Sequence, residues 1–354
     1  MIDTIKSSVQ ANLFEFLFRS GSGKSSELHS FIARKGADDV SLVTIKRLLG
    51  RLQKEGSLAV AGKGPATRYA LTPLGRLTAK VDAHAYCAEE PDRRFGLAGY
   101  QFDLFPALAF DPFSPKELEA LETATAGYRG KSNGLSEALR RKELERFVIE
   151  LSWKSSKIEG NTYTLLDTER LLKDGSEAAG HGKDEATMIL NHKAAFSYIT
   201  EHRERFSALT RAGAEEVHDL LTRGLSVARG FRSGLVGVTG SRYRPLDNRY
   251  QIEEAFEELA HAVGRMPHGY AKALVALVGL SYIQPFEDGN KRSARLMGNA
   301  LLLSHGLSPL SYRSVSEEAY REAMLAFYEL NTLEPFKALF LEQYRFSAET
   351  YALS

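Results

Sequence analysis

The sequence predicts a mostly α-helical protein with a small amount of β-structure, and three observations support that class. Apolar residues recur at helical spacing along most of the chain from 114 to 344. Two apolar runs, 271–282 and 296–303, are long enough to form buried helices. Alternating segments with glycine-rich turns occur at 57–71 and 230–247, which predicts short hairpins there.

The composition is that of an ordinary soluble globular protein. The chain has 354 residues, of which 43% are hydrophobic and 26% are charged, and its length suggests two or three domains. The single cysteine, Cys87, excludes an intramolecular disulfide and a CxxC metal site. The N-terminus lacks the pattern of a signal peptide, and no run of about 18 apolar residues occurs. We therefore expect a cytoplasmic location and no membrane association.

Charge is distributed unevenly along the chain, although the formal net charge is only +1. Residues 1–85 contain 13 Lys and Arg against 7 Asp and Glu, so this segment carries +6 and the remainder carries −5. A small basic module ahead of a mildly acidic body predicts a polyanionic partner for residues 1–85.

Three helices followed by a hairpin are predicted within this basic segment. The first helix covers 5–19, the second follows a turn at 21–25, and the third begins after Ser41. Apolar residues of the third helix fall at helical spacing on one side, and basic residues lie on the other. Two short strands, 57–60 and 68–71, then form the hairpin.

This order of elements resembles a winged helix-turn-helix domain, which implies that the third helix enters the major groove of DNA and that the hairpin contacts phosphates. A solvated basic face on a protein-interaction module is the alternative that these residues leave open. The predicted DNA contacts are the basic side chains of the third helix and the hairpin: Lys46, Arg47, Arg51, Lys54, Lys63 and Arg68.

Residues 86–113 are predicted to form a linker that packs against neighbouring structure, because prolines interrupt it and aromatic residues recur in it. Helical structure resumes at Ser114, which is a helix-capping residue followed by Pro115 and then by Glu117 at the third helical position. We therefore predict a winged helix-turn-helix domain over 1–85, the linker, and a helical domain over 114–354.

The most informative stretch is the short loop at 285–289, which separates the two long apolar runs. It is bounded by a proline and a glycine, so it forms a tight bend that opens a helix. The amides of Gly289, Asn290 and Lys291 would be unpaired donors at that helix start, with the helix dipole behind them. The geometry predicts an anion-binding site.

Charged side chains around the loop support the same prediction. Arg292 and Arg295 are three residues apart, so they share a helix face and can reach the same phosphates. Glu287 or Asp288 is positioned to hold a divalent metal ion. The ligand that these residues predict is a phosphate-rich molecule bound with Mg²⁺.

The run Gln-Pro-Phe-Glu-Asp-Gly-Asn-Lys-Arg-Ser-Ala-Arg at 284–295 resembles the Fic (Fido) signature, H-x-F-x-[DE]-G-N-[GK]-R-x-x-R. Seven of the eight fixed positions match, and Gln284 stands where the family has the His that serves as general base. The resemblance implies transfer of AMP from ATP to a hydroxyl of a target protein that the sequence does not identify. It places Mg²⁺ on Asp288 and assigns catalytic positions to Gln284, Asn290 and Arg292. The nucleotide-binding residues that it implies are Gly289, Asn290, Lys291, Arg292 and Arg295.

A second resemblance lies upstream, at the end of a helix predicted over 137–159. Ser155 and Glu159 have the spacing of the family's inhibitory motif, [ST]-x-x-x-E-[GN]. The resemblance implies that the Glu159 carboxylate pairs with Arg295, which would otherwise bind the γ-phosphate. A simple helix end at Gly160 is the alternative. The hairpin predicted at 230–247 resembles the family's flap, which pairs with the backbone of the target.

Two departures from the signature shape the functional prediction. Gln284 cannot accept a proton, and general-base catalysis contributes about 10²–10⁴ in rate. Lys291 is typical of Doc-like members, which transfer the γ-phosphate, so the orientation of the nucleotide stays open. We predict an adenylyltransferase that is autoinhibited by Glu159, attenuated or inactive through Gln284, and fused to a DNA-binding module.

Two alternatives to that function stay open. The first is a deAMPylase in which Glu159 orients a water molecule. The second is a non-catalytic transcriptional regulator that senses nucleotide and binds DNA. The oligomeric state also stays open, a homodimer included.

Overall fold

The computed structural model describes residues 2–36 and 40–353. It confirms a mostly helical protein with one small sheet. The chain forms two compact units. The first is drawn from residues 1–108, 238–244 and 322–336, and the second from 109–237, 245–321 and 337–354. The domain boundaries at 85 and 113 stay a prediction.

The first unit is built around three helices and a three-stranded antiparallel sheet of strand order β1-β3-β2. Ser41 caps the third helix by accepting the Thr44 amide, and Ile45 and Leu49 of that helix lie in the unit's apolar core. The sequence analysis missed β1, which is only two residues long and pairs Ser22 with Ala70. The elements are α1 Ile2–Ser20, β1 Ser22–Gly23, α2 Ser25–Arg34, α3 Leu42–Lys54, β2 Leu58–Ala61 and β3 Arg68–Leu71.

Short helices continue the first unit: α4 Pro73–Leu77, α5 Ala83–Cys87 and α6 Leu104–Ala107. A buried polar network stabilises this part of the unit. The Glu329 carboxylate is fully buried and accepts hydrogen bonds from Tyr86, Arg94 and Ser241. Three donors on one buried carboxylate replace the water that it has lost.

The second unit is helical. Its centre is the antiparallel pair α13 and α14, and every residue of α13 except Lys272 is buried. Gly279 allows the neighbouring helix to approach closely, because a Cβ at this position would lie 2.3 Å from Leu259. The helices of this unit are α7 Pro115–Ser132, α8 Glu137–Ile158, α9 Leu165–Asp174, α10 Lys183–Glu201, α11 Arg211–Leu221, α12 Arg249–Arg265, α13 Gly269–Ile283 and α14 Asn290–Ser304. Two further helices follow in the chain, α15 Glu317–Leu330 and α16 Glu334–Thr350.

The two apolar runs therefore form the buried helices that the sequence predicts, and the capping signal at Ser114 is also confirmed. The Ser114 hydroxyl accepts the Glu117 amide, and the Glu117 carboxylate accepts the Ser114 amide in return. Over the described ranges, no helix has both the length and the apolarity that crossing a membrane requires.

The structure differs from the sequence prediction at 230–247, where no pair of strands forms. Backbone donors that a hairpin would use are bonded elsewhere. The Arg232 amide donates to Pro285 O at 2.9 Å, and the Arg244 amide donates to Ala98 O at 2.9 Å. The alternating residues therefore follow an irregular loop, because tertiary hydrogen bonds outcompete the local ladder.

The capping box at Ser114 gives a first prediction. Replacing Ser114 with Ala removes the acceptor for an unpaired amide at the start of α7, so the free energy of unfolding should fall by about 1 kcal/mol. Urea denaturation followed by circular dichroism measures the change. Ser207→Ala, an exposed serine of the same unit, is the matched control and should stay within about 0.5 kcal/mol of the parent. Equal midpoints for the two variants would contradict the capping role.

Candidate functional site

The loop between α13 and α14 is held by its own residues. Helix α13 ends at Gln284, which adopts a left-handed conformation with φ 53°, and Gly289 at φ 76° leads into α14. The Asn290 side chain accepts the Phe286 amide and donates to the Phe286 carbonyl, both at 2.8 Å. These two hydrogen bonds fix the bend. The side chain of Asn290 is therefore occupied within the loop, and only its backbone amide is left to face a ligand.

Two residues that the sequence analysis did not select hold the loop from outside. The His218 ring stacks on Phe286 with centroids 3.8 Å apart, and its Nε2 lies 3.0 Å from the Asp288 carbonyl oxygen. Arg232 donates from Nε to the Gln284 carbonyl at 2.7 Å. His218 and Arg232 each lie more than 50 residues in sequence from the loop residue that they contact. Residue spacing in the sequence therefore gave no indication of these contacts.

Arg292 is only partly satisfied within the protein. Its side chain is 2% exposed, and Nη2 donates to the Asp288 carboxylate at 3.1 Å. Nη1 is buried without a hydrogen-bond partner among the described residues. Burial lowers the pKa of this guanidinium, against the opposing effect of Asp288. A buried cationic donor without an acceptor indicates that an anion completes the site.

Arg295 is fully buried and, in contrast, fully paired. It donates to the Ser155 hydroxyl at 2.9 Å, to the Ser155 carbonyl at 2.8 Å and to Glu159 Oε1 at 2.8 Å. Its guanidinium also lies 5.3 Å from the centre of the Tyr320 ring. The last turn of α8 is therefore attached to α14 through one side chain.

Glu159 caps the C-terminus of α8 and faces two cations. Besides Arg295, the Lys291 ammonium lies 3.4 Å from Glu159 Oε2. Burial works to raise the pKa of Glu159, but the charges of Arg295 and Lys291 outweigh it, and the pKa lies below its ordinary value of 4.5. The carboxylate is therefore ionised at neutral pH.

The side chain of Gln284 turns back toward its own helix. Nε2 donates to the Ser281 carbonyl at 2.7 Å, and the residue is 6% exposed. A left-handed backbone is uncommon for a residue other than glycine, and here the Arg232 hydrogen bond to the carbonyl helps to hold it. The amide can donate and accept hydrogen bonds, but it cannot take up a proton.

A second unpaired buried group lies near the two arginines. His192 on α10 is fully buried, and neither of its ring nitrogens has a hydrogen-bond partner among the residues described. Burial lowers its pKa to about 3, and the charges of Arg295 and Arg292 act in the same direction. The imidazole is therefore neutral, which avoids a third positive charge behind the site.

Asp288 is the residue to which the sequence analysis assigns Mg²⁺. Its side chain is 68% exposed, and one carboxylate oxygen accepts from Arg292. Among the described residues, it belongs to no group of three or more His, Cys, Asp or Glu side chains arranged for a metal ion. One carboxylate suits Mg²⁺ when phosphate oxygens and water complete the octahedron.

The six basic residues assigned to DNA fall into two sets. Lys46, Arg47, Lys54 and Lys63 are exposed. The other two take part in contacts within the unit: Arg51 donates to Gln10, and Arg68 donates to both the hydroxyl and the carbonyl of Ser22. Arg68 therefore helps to attach β3 to β1, and its guanidinium is less available to phosphate than the sequence analysis expects.

The fold and the site define a class of protein. It is a helical domain whose central loop leads into a buried helix, with unpaired backbone amides at the start of that helix and two buried guanidinium groups beside them. Comparisons agree with that class. Residues 208–302 match the model of the Fic/DOC family. The chain therefore contains a Fic domain.

Named relatives and solved structures support the same domain. The protein adenylyltransferase Fic of Drosophila melanogaster is 27% identical over 295 residues, which cover 75% of this chain and 58% of that protein. The chain thus spans somewhat more than half the length of this relative. Its counterpart in Drosophila persimilis is 31% identical over 180 residues, 49% of this chain and 35% of that protein.

Two solved structures share the fold. A signalling protein with a Fic domain from Bacteroides thetaiotaomicron superposes with a TM-score of 0.54 at 18% identity, covering 65% of this chain and 94% of that one. Fic-1 from C. elegans superposes with a TM-score of 0.52 at 21% identity, covering 70% and 79%.

The Glu159–Arg295 pair gives a prediction for stability. Glu159→Gln leaves Arg295 buried without its counter-charge, so the free energy of unfolding should fall by about 3 kcal/mol at neutral pH. Because the pKa of Glu159 is lowered on folding, its contribution is present above the unfolded pKa and is lost as pH falls through the folded pKa. The difference between parent and variant should therefore be constant from about pH 7 to about pH 5 and shrink below that.

Urea denaturation at a series of pH values tests this dependence. Glu177→Gln removes an exposed carboxylate of the same unit and is the matched control, with a small difference from the parent at every pH. A Glu159→Gln difference that stayed the same down to about pH 3 would show that the ion pair does not stabilise the fold.

Proposed function

We propose that this protein is a Fic-type protein adenylyltransferase that transfers AMP from ATP to a hydroxyl of a target protein. In the state described here it is autoinhibited by Glu159 and attenuated by Gln284. The observation that carries the proposal is the fully buried Arg295, held by Glu159 Oε1 at 2.8 Å, beside an Arg292 whose Nη1 has no acceptor within the described part of the chain. The names of the Drosophila relatives support the reaction class.

The nucleotide site follows from the groups that lack partners. Arg292 Nη1 and the amides at the start of α14 offer donors to phosphate oxygens. Arg295 would donate to a further phosphate oxygen only after Glu159 withdraws, because each of its three side-chain nitrogens already donates to Ser155 or Glu159. Asp288 would hold Mg²⁺, which neutralises phosphate charge when it is bound.

In the transfer step, the oxygen of the acceptor hydroxyl attacks the α-phosphorus of ATP. A new P–O bond forms, the bond between the α-phosphorus and the bridging oxygen breaks, and pyrophosphate leaves with the bond's electron pair. The hydroxyl proton passes to solvent water, because the Gln284 amide cannot accept it. Loss of the general base lowers the rate by about 10²–10⁴, and positioning and charge stabilisation remain.

A second candidate has support from the first unit. Lys46 and Arg47 are exposed on α3. An attenuated catalytic site together with this basic helix supports a regulator that binds DNA and senses nucleotide. A third candidate, removal of AMP by a water that Glu159 orients, is supported by the ionised state of that carboxylate.

Restoring the missing group tests the proposed activity. The double variant Gln284→His with Glu159→Gly should label itself when it is incubated with α-labelled ATP, because it regains a proton acceptor and frees Arg295. The increase over the parent should be at least about 10²-fold. Each single change should give much less, and the triple variant that also carries Arg292→Ala should lose the label.

Gln284→Asn with Glu159→Gly is the matched control, since it changes the same positions without restoring a base. If this control labels itself as strongly as the variant with Gln284→His, a restored general base does not explain the labelling. If the double variant stays unlabelled and ATP causes no thermal shift, the adenylyltransferase proposal fails. Release of AMP from a modified acceptor by the parent, lost in Glu159→Gln, would instead favour the hydrolytic candidate.

The DNA-binding proposal is tested by salt dependence. Lys46→Ala with Arg47→Ala removes two exposed cations of α3. The plot of log K for duplex DNA against log salt concentration should therefore become less steep, with the magnitude of its slope lower by about 2. Fluorescence anisotropy over a salt series measures it. Arg34→Ala with Lys116→Ala removes two other exposed cations as a matched control. If the slope is unchanged in the α3 variant, DNA is not bound through this helix.

A further inference from the structure

The first unit contains a cavity of about 430 Å³ that neither the Fic signature nor the basic helix explains. It is lined by α1, by α5 and by the segment 89–95 that follows α5. All of its lining residues lie between 11 and 95, within one compact unit. A volume of this size is in the range of sites for small molecules.

Aromatic rings form one part of the cavity wall. Phe14 and Phe18 of α1 and Tyr86 of α5 are buried, and Phe95 is partly buried beside them. The rings of Tyr86 and Phe95 meet edge to face with centroids 5.2 Å apart. An aromatic wall of this kind favours a flat apolar ligand that stacks or packs against ring faces and edges.

Cations form the other part of the wall, and they outnumber the acids. Five cationic side chains and three carboxylates line the cavity. The Glu15 carboxylate accepts from both Arg19 at 3.0 Å and Lys35 at 3.1 Å, so one negative charge serves two positive ones. Lys80 and Arg93 are exposed and have no ion-pair partner in the part of the chain that the structure describes. The excess of positive charge favours an anion.

An unsatisfied buried donor is the third observation. Arg94 lines the same cavity, is 4% exposed and pairs with Glu329 through Nη2 at 2.9 Å. Its Nε–H is buried and has no acceptor among the described residues. Such donors are uncommon in folded proteins, and an acceptor atom on a bound molecule is a direct explanation.

We propose that this cavity is a ligand site for a small planar aromatic carboxylate. The ring system would pack against the α1 aromatic residues and the Arg19 guanidinium, which lies 4.3 Å from the centre of the Phe95 ring. The carboxylate would accept from Arg94 Nε and face Lys80 and Arg93. The site is separate from the loop at 285–289, so the proposal does not depend on the proposed enzymatic activity.

The test uses the full chain and two probes of the same shape, naphthoate and its uncharged isostere naphthamide. Isothermal titration calorimetry should show one naphthoate bound per chain, at least about tenfold more tightly than naphthamide, because a charge-assisted hydrogen bond is lost with the amide. Equal affinity for the two probes, or uptake of naphthoate that does not saturate, would overturn the proposal.

Variants locate the site. Lys80→Gln with Arg93→Gln should weaken naphthoate binding by about tenfold or more and leave naphthamide unchanged. Phe95→Leu should weaken both probes by a similar factor. Arg34→Gln with Arg244→Gln removes two exposed cations of the same unit that do not line the cavity, and its affinity should equal the parent's.

Circular dichroism and thermal unfolding establish that each variant is folded. Should the Lys80 and Arg93 variant not fold, the comparison of the two probes on the parent chain still decides between a charge-selective site and a merely apolar cavity. Unchanged naphthoate affinity in a folded Lys80 and Arg93 variant would exclude the proposed carboxylate contacts and with them the site.

Discussion

The complete burial of the Arg295 guanidinium is the constraint on which the second unit depends. A guanidinium cannot leave water without partners for its charge and its donors, because the cost of desolvation exceeds what packing returns. Ser155 and Glu159 supply those partners; Ser155 lies in the last turn of α8, and Glu159 caps that turn. The position of that turn therefore depends on the hydrogen bonds of Arg295. A group that competes for Arg295 also acts on the end of α8.

The hydrogen bonds that hold the loop before α14 from its neighbours run to backbone atoms of the loop. The Gln284 carbonyl is held by Arg232, and the Asp288 carbonyl lies within hydrogen-bonding distance of His218. Asn290 closes the bend through the backbone of Phe286. None of these contacts uses the Gln284 side chain, which donates instead to the Ser281 carbonyl. We therefore expect a different residue at 284 to change the chemistry available there and to leave the geometry of the loop in place.

Sequence reasoning predicted what is encoded locally. The apolar runs gave α13 and α14, and Ser114 gave the start of α7, because helix periodicity and capping depend on residues within a few positions. It failed where contacts between residues distant in sequence determine the local structure. The 230–247 segment has the alternation of a hairpin, but its amides bond to Pro285 and Ala98. The contact of His218 was not predicted, since nothing in its neighbourhood in the sequence reveals the stack on Phe286.

The two arginines of the motif are satisfied to different degrees, and under the proposed function this difference would set the order in which they contact a phosphate. Arg292 has a donor without an acceptor among the residues that the structure describes, whereas the nitrogens of Arg295 already donate to Ser155 and Glu159 at the end of α8. An anion gains the contacts of Arg292 and the α14 amides at no loss of an existing hydrogen bond, and it gains Arg295 only by exchange with Glu159. We infer that Glu159 acts on the last contact to form. Inhibition would then change how the distal phosphate is oriented more than whether the nucleotide binds, which is how one carboxylate could control reactivity while the rest of the site stays ready.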